Sequence, residues 1–257
     1  LKKVLTSHGW LSTLFTLMRV FQKTGLQKLF STQPFNLLVP QKIRTLQTSI
    51  PLVPPQRFGT SEDLLYSAVG KKIGTVSLFT GCVMDHLYPH VHAATVRLLT
   101  WYNFDVNIPA QQTCCGALHA HSGDTQMTSD LAQSNIDLFE NTDSDYIIIN
   151  SAGCGAHLKS NLKYMEAGIP GKILDLSEFL IRMETKQVSN GRLLKVAYDE
   201  PCHLLHGQGV SAEPKSLLSQ IPGVELVSLK EADRCCGSAG SYSLTETEMS
   251  LELLERK

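Results

Sequence analysis

Apolar side chains recur at helical spacing over residues 9–30, at Trp10, Leu11, Leu14, Phe15, Met18 and Phe21. The pattern predicts a helix that turns this face to a core, or else to a neighbouring surface. Residues 31–72 lose the period. Pro34, Pro40, Pro51, Pro54 and Pro55 interrupt regular structure, so this stretch is expected to be an extended connector. From Ile73 short β-rich runs take over at 73–80, 104–109, 145–150 and 172–176, with helical patterns between them over 88–102 and 124–140. Asp124 stands where it can cap the second of these helices. Strands alternating with helices of this length imply parallel pairing through crossovers. The texture then starts afresh, with a strand at 193–199, a helix at 211–220 and a strand at 224–230.

The chain has 257 residues, 42% of them hydrophobic and 18% charged, which is enough for a buried core and unlike a disordered tail. Its 23 basic and 24 acidic side chains leave a net charge of −1, without the basic excess of a nucleic-acid-binding protein. The most apolar run, Trp10 to Phe21, is too short to cross a bilayer and is broken by Ser12, Thr13, Thr16 and Arg19. The chain opens on Leu with no signal-peptide pattern, and reads as part of something longer. Seven cysteines, an odd number, argue against a disulfide framework and for a reducing, cytoplasmic setting.

The cysteines follow a pattern that repeats. Cys82 comes after a predicted strand, and 31 residues separate it from Cys114-Cys115-Gly116; Cys202 comes after another, with 32 residues before Cys235-Cys236-Gly237. The offsets between the two copies are 120 and 121 residues, which points to duplication. The first copy continues to Cys154, and an equivalent in the second would fall near 275, past Lys257. The expected organisation is α/β: a helical segment at 1–39, a proline-rich connector at 40–72, and two homologous parallel-sheet (Rossmann-like) halves at 73–190 and 191–257, the second cut short at its C-terminus.

Loops that follow parallel strands open at one edge of the sheet, so cysteines thirty residues apart become neighbours. Four converging thiolates repel one another unless a metal or an iron–sulfur cluster neutralises them. A vicinal pair suits a multi-iron cluster better than tetrahedral zinc, whose paired ligands usually stand two to four residues apart. Zinc nevertheless stays open as the alternative on the residues alone. Gly116 and Gly237 are expected to let backbone approach the bound group, and the helix starts at Cys82 and Cys202 are expected to lower those thiol pKa values. Ser151 stands three residues before Cys154, where a C-x-x-C would have its first cysteine. His86, His90, His92, His119, His121, His157, His203 and His206 crowd the same loops and are candidates to donate to sulfur or carry protons. No G-x-G-x-x-G follows a strand, no P-loop is present, and no C-x₂-C-x₂-C-x₃-C run of the ferredoxin kind occurs, so nucleotide or flavin binding has no basis here.

These segments resemble the cysteine-rich CCG domain family, which includes the heterodisulfide reductase catalytic subunit, the anaerobic glycerol-3-phosphate dehydrogenase membrane subunit and lactate-utilisation proteins. The resemblance rests on TGCVMDHLYPHVHAATVRLL (80–99), CCGALHAHSG (114–123), SAGCGAHLK (151–159), DEPCHLLHGQGV (199–210), IPGVELV (221–227) and DRCCGSAGSYSL (233–244), and covers about residues 4–257. It is nearer still to the iron–sulfur subunits of bacterial glycolate oxidase. The resemblance implies a carboxyl-terminal part of such a subunit, lacking a preceding ferredoxin module, in a complex that oxidises glycolate on separate FAD-containing subunits and passes electrons towards a membrane acceptor such as quinone. It implies that the chain alone does not oxidise glycolate, and that it sits in the cytoplasm or peripherally at the inner membrane face. It assigns Cys82, Cys114, Cys115 and Cys154 to one [4Fe–4S] or non-cubane cluster, and Cys202, Cys235 and Cys236 to a second. Ser151 removes one thiol from the five-cysteine set of some relatives. The alternatives are a zinc-stabilised structural or assembly subunit and, from the same resemblance, a lactate-utilisation or disulfide-reductase-type protein of the CCG family.

Overall fold

The computed structural model describes residues 6–32, 51–162, 170–183, 186, 188, 191–238, 240 and 242–257. The β-rich runs form strands β2 (Gly74–Phe79), β3 (Phe104–Ile108), β4 (Tyr146–Ile149) and β5 (Ile173–Asp175), joined by a short strand β1 (Leu64–Tyr66) in the order β1-β3-β2-β4-β5. Strands β2 to β5 pair in parallel, with Val76 opposite Val106 on one side and Tyr146 on the other. Val76, Leu78, Ile147, Ile148 and Ile149 are buried. Such continuous apolar runs are what a sheet covered on both faces requires.

Alternation along the strands divides the core in two. Val76, Leu78, Val106, Ile148 and Leu174 face helices α4 (Pro89–Trp101) and α8 (Leu176–Arg182) through Leu99 and Phe179. Phe79, Ile147, Ile149 and Ile173 face α6 (Thr125–Glu140) and α7 (Ala152–Leu162) through Ile136, Phe139 and Leu158. Asp124 caps α6 as its sequence position suggests, accepting from the Met127 amide at 3.4 Å. Because β3 and β4 flank β2, chain connections leave β2 in opposite directions and open a crevice beyond the carboxyl ends of the strands.

Strand β1 corrects the expectation of a featureless connector. Its Leu64 pairs antiparallel with Ile108, and Asp105 secures the return by accepting from the Ala68 amide. The prolines stop before residue 56, leaving 64–66 free to join the edge. Residues 33–50, with Pro34 and Pro40, lie outside the described residues. The predicted helix over 9–30 is two helices, α1 (His8–Lys23) and α2 (Leu26–Ser31), broken at Thr24-Gly25. Leu11 and Phe15 of α1 pack with Val53 against Cys82, Val83 and Leu87 of the short helix α3 (Val83–Leu87).

The second stretch builds a smaller sheet. Strand β6 (Leu194–Ala197) leads to α9 (Cys202–Gln208) and α10 (Ala212–Ser219), and β7 (Val224–Val227) pairs with β6 in parallel. Helices α11 (Tyr242–Thr245) and α12 (Thr247–Arg256) follow. Gly207 of α9 packs directly on Ala156 of α7, and Gln208 donates to the Ala152 carbonyl at 3.0 Å, so the helices that begin at Cys202 and hold Cys154 lie against each other.

Asp85 fastens the amino-terminal part to this frame. It is 2% exposed, accepts from the Gly59 amide at 2.6 Å and pairs with Arg57 at 3.2 Å. Removing one partner of a buried pair strands the other. Asp85→Ala is expected to lower the unfolding free energy by about 3 kcal/mol, read from urea denaturation.

Candidate functional site

The crevice is where the first four cysteines meet. Cys82 follows β2 at the start of α3, Cys114 and Cys115 follow β3 ahead of α5 (Ala117–His121), and Cys154 lies in the first turn of α7 after β4. All four line one cavity of about 320 Å³, with Val83, Met84, Tyr88, Leu118 and Ser151 among its walls. Cys114 and Cys115 are buried, and Cys82 and Cys154 are half-buried.

Amide side chains hold these loops in place. Gln112 bridges the end of β2, accepting from the Thr80 amide at 2.9 Å and donating to the Leu78 carbonyl at 2.9 Å. Asn135 of α6 accepts from the Thr113 amide and donates to the Cys114 carbonyl at 3.1 Å. Asn150, just before Ser151, donates to Thr95 Oγ1 and to Nδ1 of His92 at 3.2 Å. None of the three was a candidate from sequence, because a lone amide in a loop carries no pattern.

The sulfurs form a chain of hydrogen bonds. The Cys82 thiol donates to Cys114 across 3.5 Å, and Cys114 also accepts from the Gly116 amide at 3.5 Å. Bonds from Cys115 and Cys82 hold the Cys114 thiol at about 3, despite burial. Cys154 is likewise lowered, first by Cys115 and also by the Ser151 hydroxyl. Cys82 and Cys115 move the other way, held protonated by the bonds they give to Cys114 and by burial. The helix-start expectation for Cys82 is therefore reversed. Its bond from the Val83 amide favours the thiolate, but the neighbouring sulfur and desolvation outweigh five residues of helix.

This donor set fits a polynuclear group. Four sulfurs from three loops face one open cavity, and adjacent cysteines offer their sulfurs to different points. Among the described residues, no three His, Cys, Asp or Glu side chains close around a single-ion position.

Gly116 and Gly237 also have a role in packing. Both have left-handed φ, +90° and +74°. A side chain on Gly116 would stand 3.4 Å from the backbone of Thr128, and one on Gly237 only 2.7 Å from that of Ser250. Thr128 is the fourth residue of α6 and Ser250 the fourth of α12, so each CCG glycine turns the chain and seats the helix beyond it.

The remaining cysteines are less gathered. Cys202 heads α9, Cys235 is exposed and accepts from the Gly237 amide at 3.4 Å, and Cys236 lies 3.2 Å from the Ser238 hydroxyl, which lowers its pKa. Among the described residues these three sulfurs make no bond to one another. The Lys257 ammonium, 2.8 Å from Asp199, is the charge that Cys202 and Cys236 share.

The histidines separate into two groups. His121 and His203 line the cavity and stack on each other at 6.0 Å, and His157 lies behind Gly116 with its pKa lowered by burial. His86, His92 and His119 are packing residues: His86 stacks on Phe15, His92 is 0% exposed beside Phe58, and His119 faces Asp124. His90 lies beside Tyr88. His206 is near enough to Glu200 to favour its ionised form.

The model of the cysteine-rich domain family, CCG, matches residues 76–159 and 196–257. The chain is 34% identical over 253 residues to a "Probable glycolate oxidase iron-sulfur subunit" of Bacillus subtilis (strain 168), covering 94% of this chain and 57% of that protein. It is 37% identical over 195 residues to a subunit of the "Fumarate reductase (CoM/CoB)" of Methanothermobacter marburgensis, covering 74% of this chain and 38% of the relative. It is 32% identical over 192 residues to "Lactate utilization protein A" of Halalkalibacterium halodurans, covering 71% and 78%. The chain thus spans about half the length, or less, of the first two.

Burial holds His92 neutral down to about pH 4, whereas its unfolded value is 6.5. The unfolded chain therefore takes up a proton that the native chain refuses. His92 is expected to add nothing above pH 7 and to cost stability progressively as pH falls from 6.5 to 4, by about 3 kcal/mol in all. His86 and His157 are lowered in the same direction. Urea midpoints across this range should fall less steeply with decreasing pH in His92→Gln than in the wild type, the remaining slope belonging to the other buried histidines.

Proposed function

The chain belongs to the cysteine-rich CCG domain family, and from that premise we propose that it is an iron–sulfur electron-transfer subunit of a flavin-dependent 2-hydroxy-acid oxidising complex, with glycolate as the acid. FAD and the reacting acid sit on a partner subunit, and electrons leave towards a membrane acceptor such as quinone. The observation that carries this reading is the meeting of Cys82, Cys114, Cys115 and Cys154 around one cavity at the strand ends. The relatives named for glycolate oxidase and lactate utilisation support the substrate class, and glycolate is favoured because that match runs over 94% of the chain.

In this reading the four sulfurs hold the first cluster, and Cys202, Cys235 and Cys236 contribute to a second. A bound iron–sulfur cluster supplies one-electron storage at a potential set by its surroundings. The Ser151 hydroxyl and the Gly116 amide donate to sulfur and so favour the more negative, reduced state. Val83, Met84 and Leu118 exclude water from one wall. The halves at 73–190 and 191–257 act as two such units, in a cytoplasmic protein without nucleic-acid contacts.

A second reading, a thiol- or disulfide-coupled reductase, draws on the likeness to the CoM/CoB fumarate reductase and on the free space in the cavity beside the sulfurs. Iron, acid-labile sulfide and zinc measured per chain after anaerobic purification decide the cofactor. Iron with matching sulfide is expected; zinc near one per chain without sulfide would replace electron transfer with a structural role. Cys154→Ser is expected to lose the iron of the first centre, and retention of full iron and redox activity would show the ligands to be misassigned.

A further inference from the structure

Helices α1 and α2 leave a continuous apolar face uncovered. Trp10, Leu14, Leu17 and Phe21 recur at intervals of four, three and four, which places them on one stripe. Trp10 is 60% exposed and Leu17 63%, and Leu26 and Leu29 extend the face along α2. Stacking of Phe21 on Phe30 joins the two helices. Charge distribution identifies what this face suits. The first 61 residues hold eight Lys or Arg and no Asp or Glu, so all 24 acidic side chains lie beyond them. Lys23 and Lys28 are exposed on α1 and α2, while Arg19 is engaged with the Pro54 carbonyl at 2.8 Å.

We propose that the outer face of α1 and α2 docks on an anionic phospholipid surface. A helix with a strong apolar face, an exposed Trp and flanking cations lies in the plane of such an interface. No described helix is long and apolar enough to cross a membrane, so the contact is with the surface. Anionic headgroups attract the acid-free segment and repel the acidic remainder, which fixes the orientation as well as the contact. The adjoining side of α1, about 100° round the helix, packs on Cys82, so docking brings the four-sulfur site near the headgroups. The proposal extends the membrane-acceptor part of the reading above but stands without it.

The test is co-sedimentation of the full chain with phosphatidylglycerol–phosphatidylcholine vesicles and with phosphatidylcholine vesicles alone. Binding is expected to the anionic vesicles only, weakening with salt. Trp10→Glu with Leu17→Glu should abolish it, and Lys23→Glu with Lys28→Glu should weaken it by about tenfold. Iron content and circular dichroism should be unchanged in both double variants. Absence of binding, or binding that survives Trp10→Glu with Leu17→Glu, would overturn the proposal. So would shielding of Trp10 from a soluble quencher by a partner subunit or a second copy instead of by vesicles. Vesicle binding by a chain that holds no iron would uphold this inference while sinking the cluster assignment.

Discussion

Repulsion between sulfur charges is the constraint on which the site depends. Two thiolates at the 3.5 Å separation of Cys82 and Cys114 would repel by about 5 kcal/mol even at an effective dielectric constant near 20. Left to themselves, the four therefore act as donors alternating with acceptors: the neighbouring sulfurs raise the pKa of Cys82 and Cys115 and lower that of Cys114 and Cys154. Holding them together nevertheless takes rigidity, and the fold supplies it through a sheet buried on both faces and three amide side chains, the buried Gln112 and Asn135 and the half-buried Asn150, that tie the loops in place. A group that neutralises the sulfurs turns this cost into binding energy.

Much of the sheet was legible because parallel strands write themselves as apolar runs: β2 to β7 fall within a few residues of the expected spans. Strand β1 was not, since Leu64–Tyr66 is too short to show a period and takes its place only by pairing with β3. The four-cysteine site was legible from spacing plus topology. What holds it was not. Asp85 carries no signal in the sequence that marks it out, yet it is the buried anchor for Gly59 and Arg57. Histidine abundance misled in part, because His86, His92 and His119 serve as packing rings and only His121 and His203 face the cavity.

The two CCG motifs share a mechanical role. In each, the glycine adopts a backbone that side chains resist and lies close to the fourth residue of the second helix beyond it, Thr128 of α6 or Ser250 of α12. The motif is thus a joint between cysteine pair and helix as much as a donor sequence. Close packing of α7 on α9 then sets the helix holding Cys154 beside the one headed by Cys202, and His121 stacks on His203 across the same boundary.

Burial is uneven among the seven cysteines, and this gives oxidative wear a direction. Cys114 and Cys115 are buried, and α1 roofs Cys82, so peroxide or dioxygen reaches them only through the cavity or after α1 lifts. Cys235 is exposed, and the Ser238 hydroxyl lowers the pKa of Cys236 beside it, so this pair is the more accessible to oxidants. Oxidation in air is therefore expected to begin at this pair, ahead of the sulfurs that line the cavity.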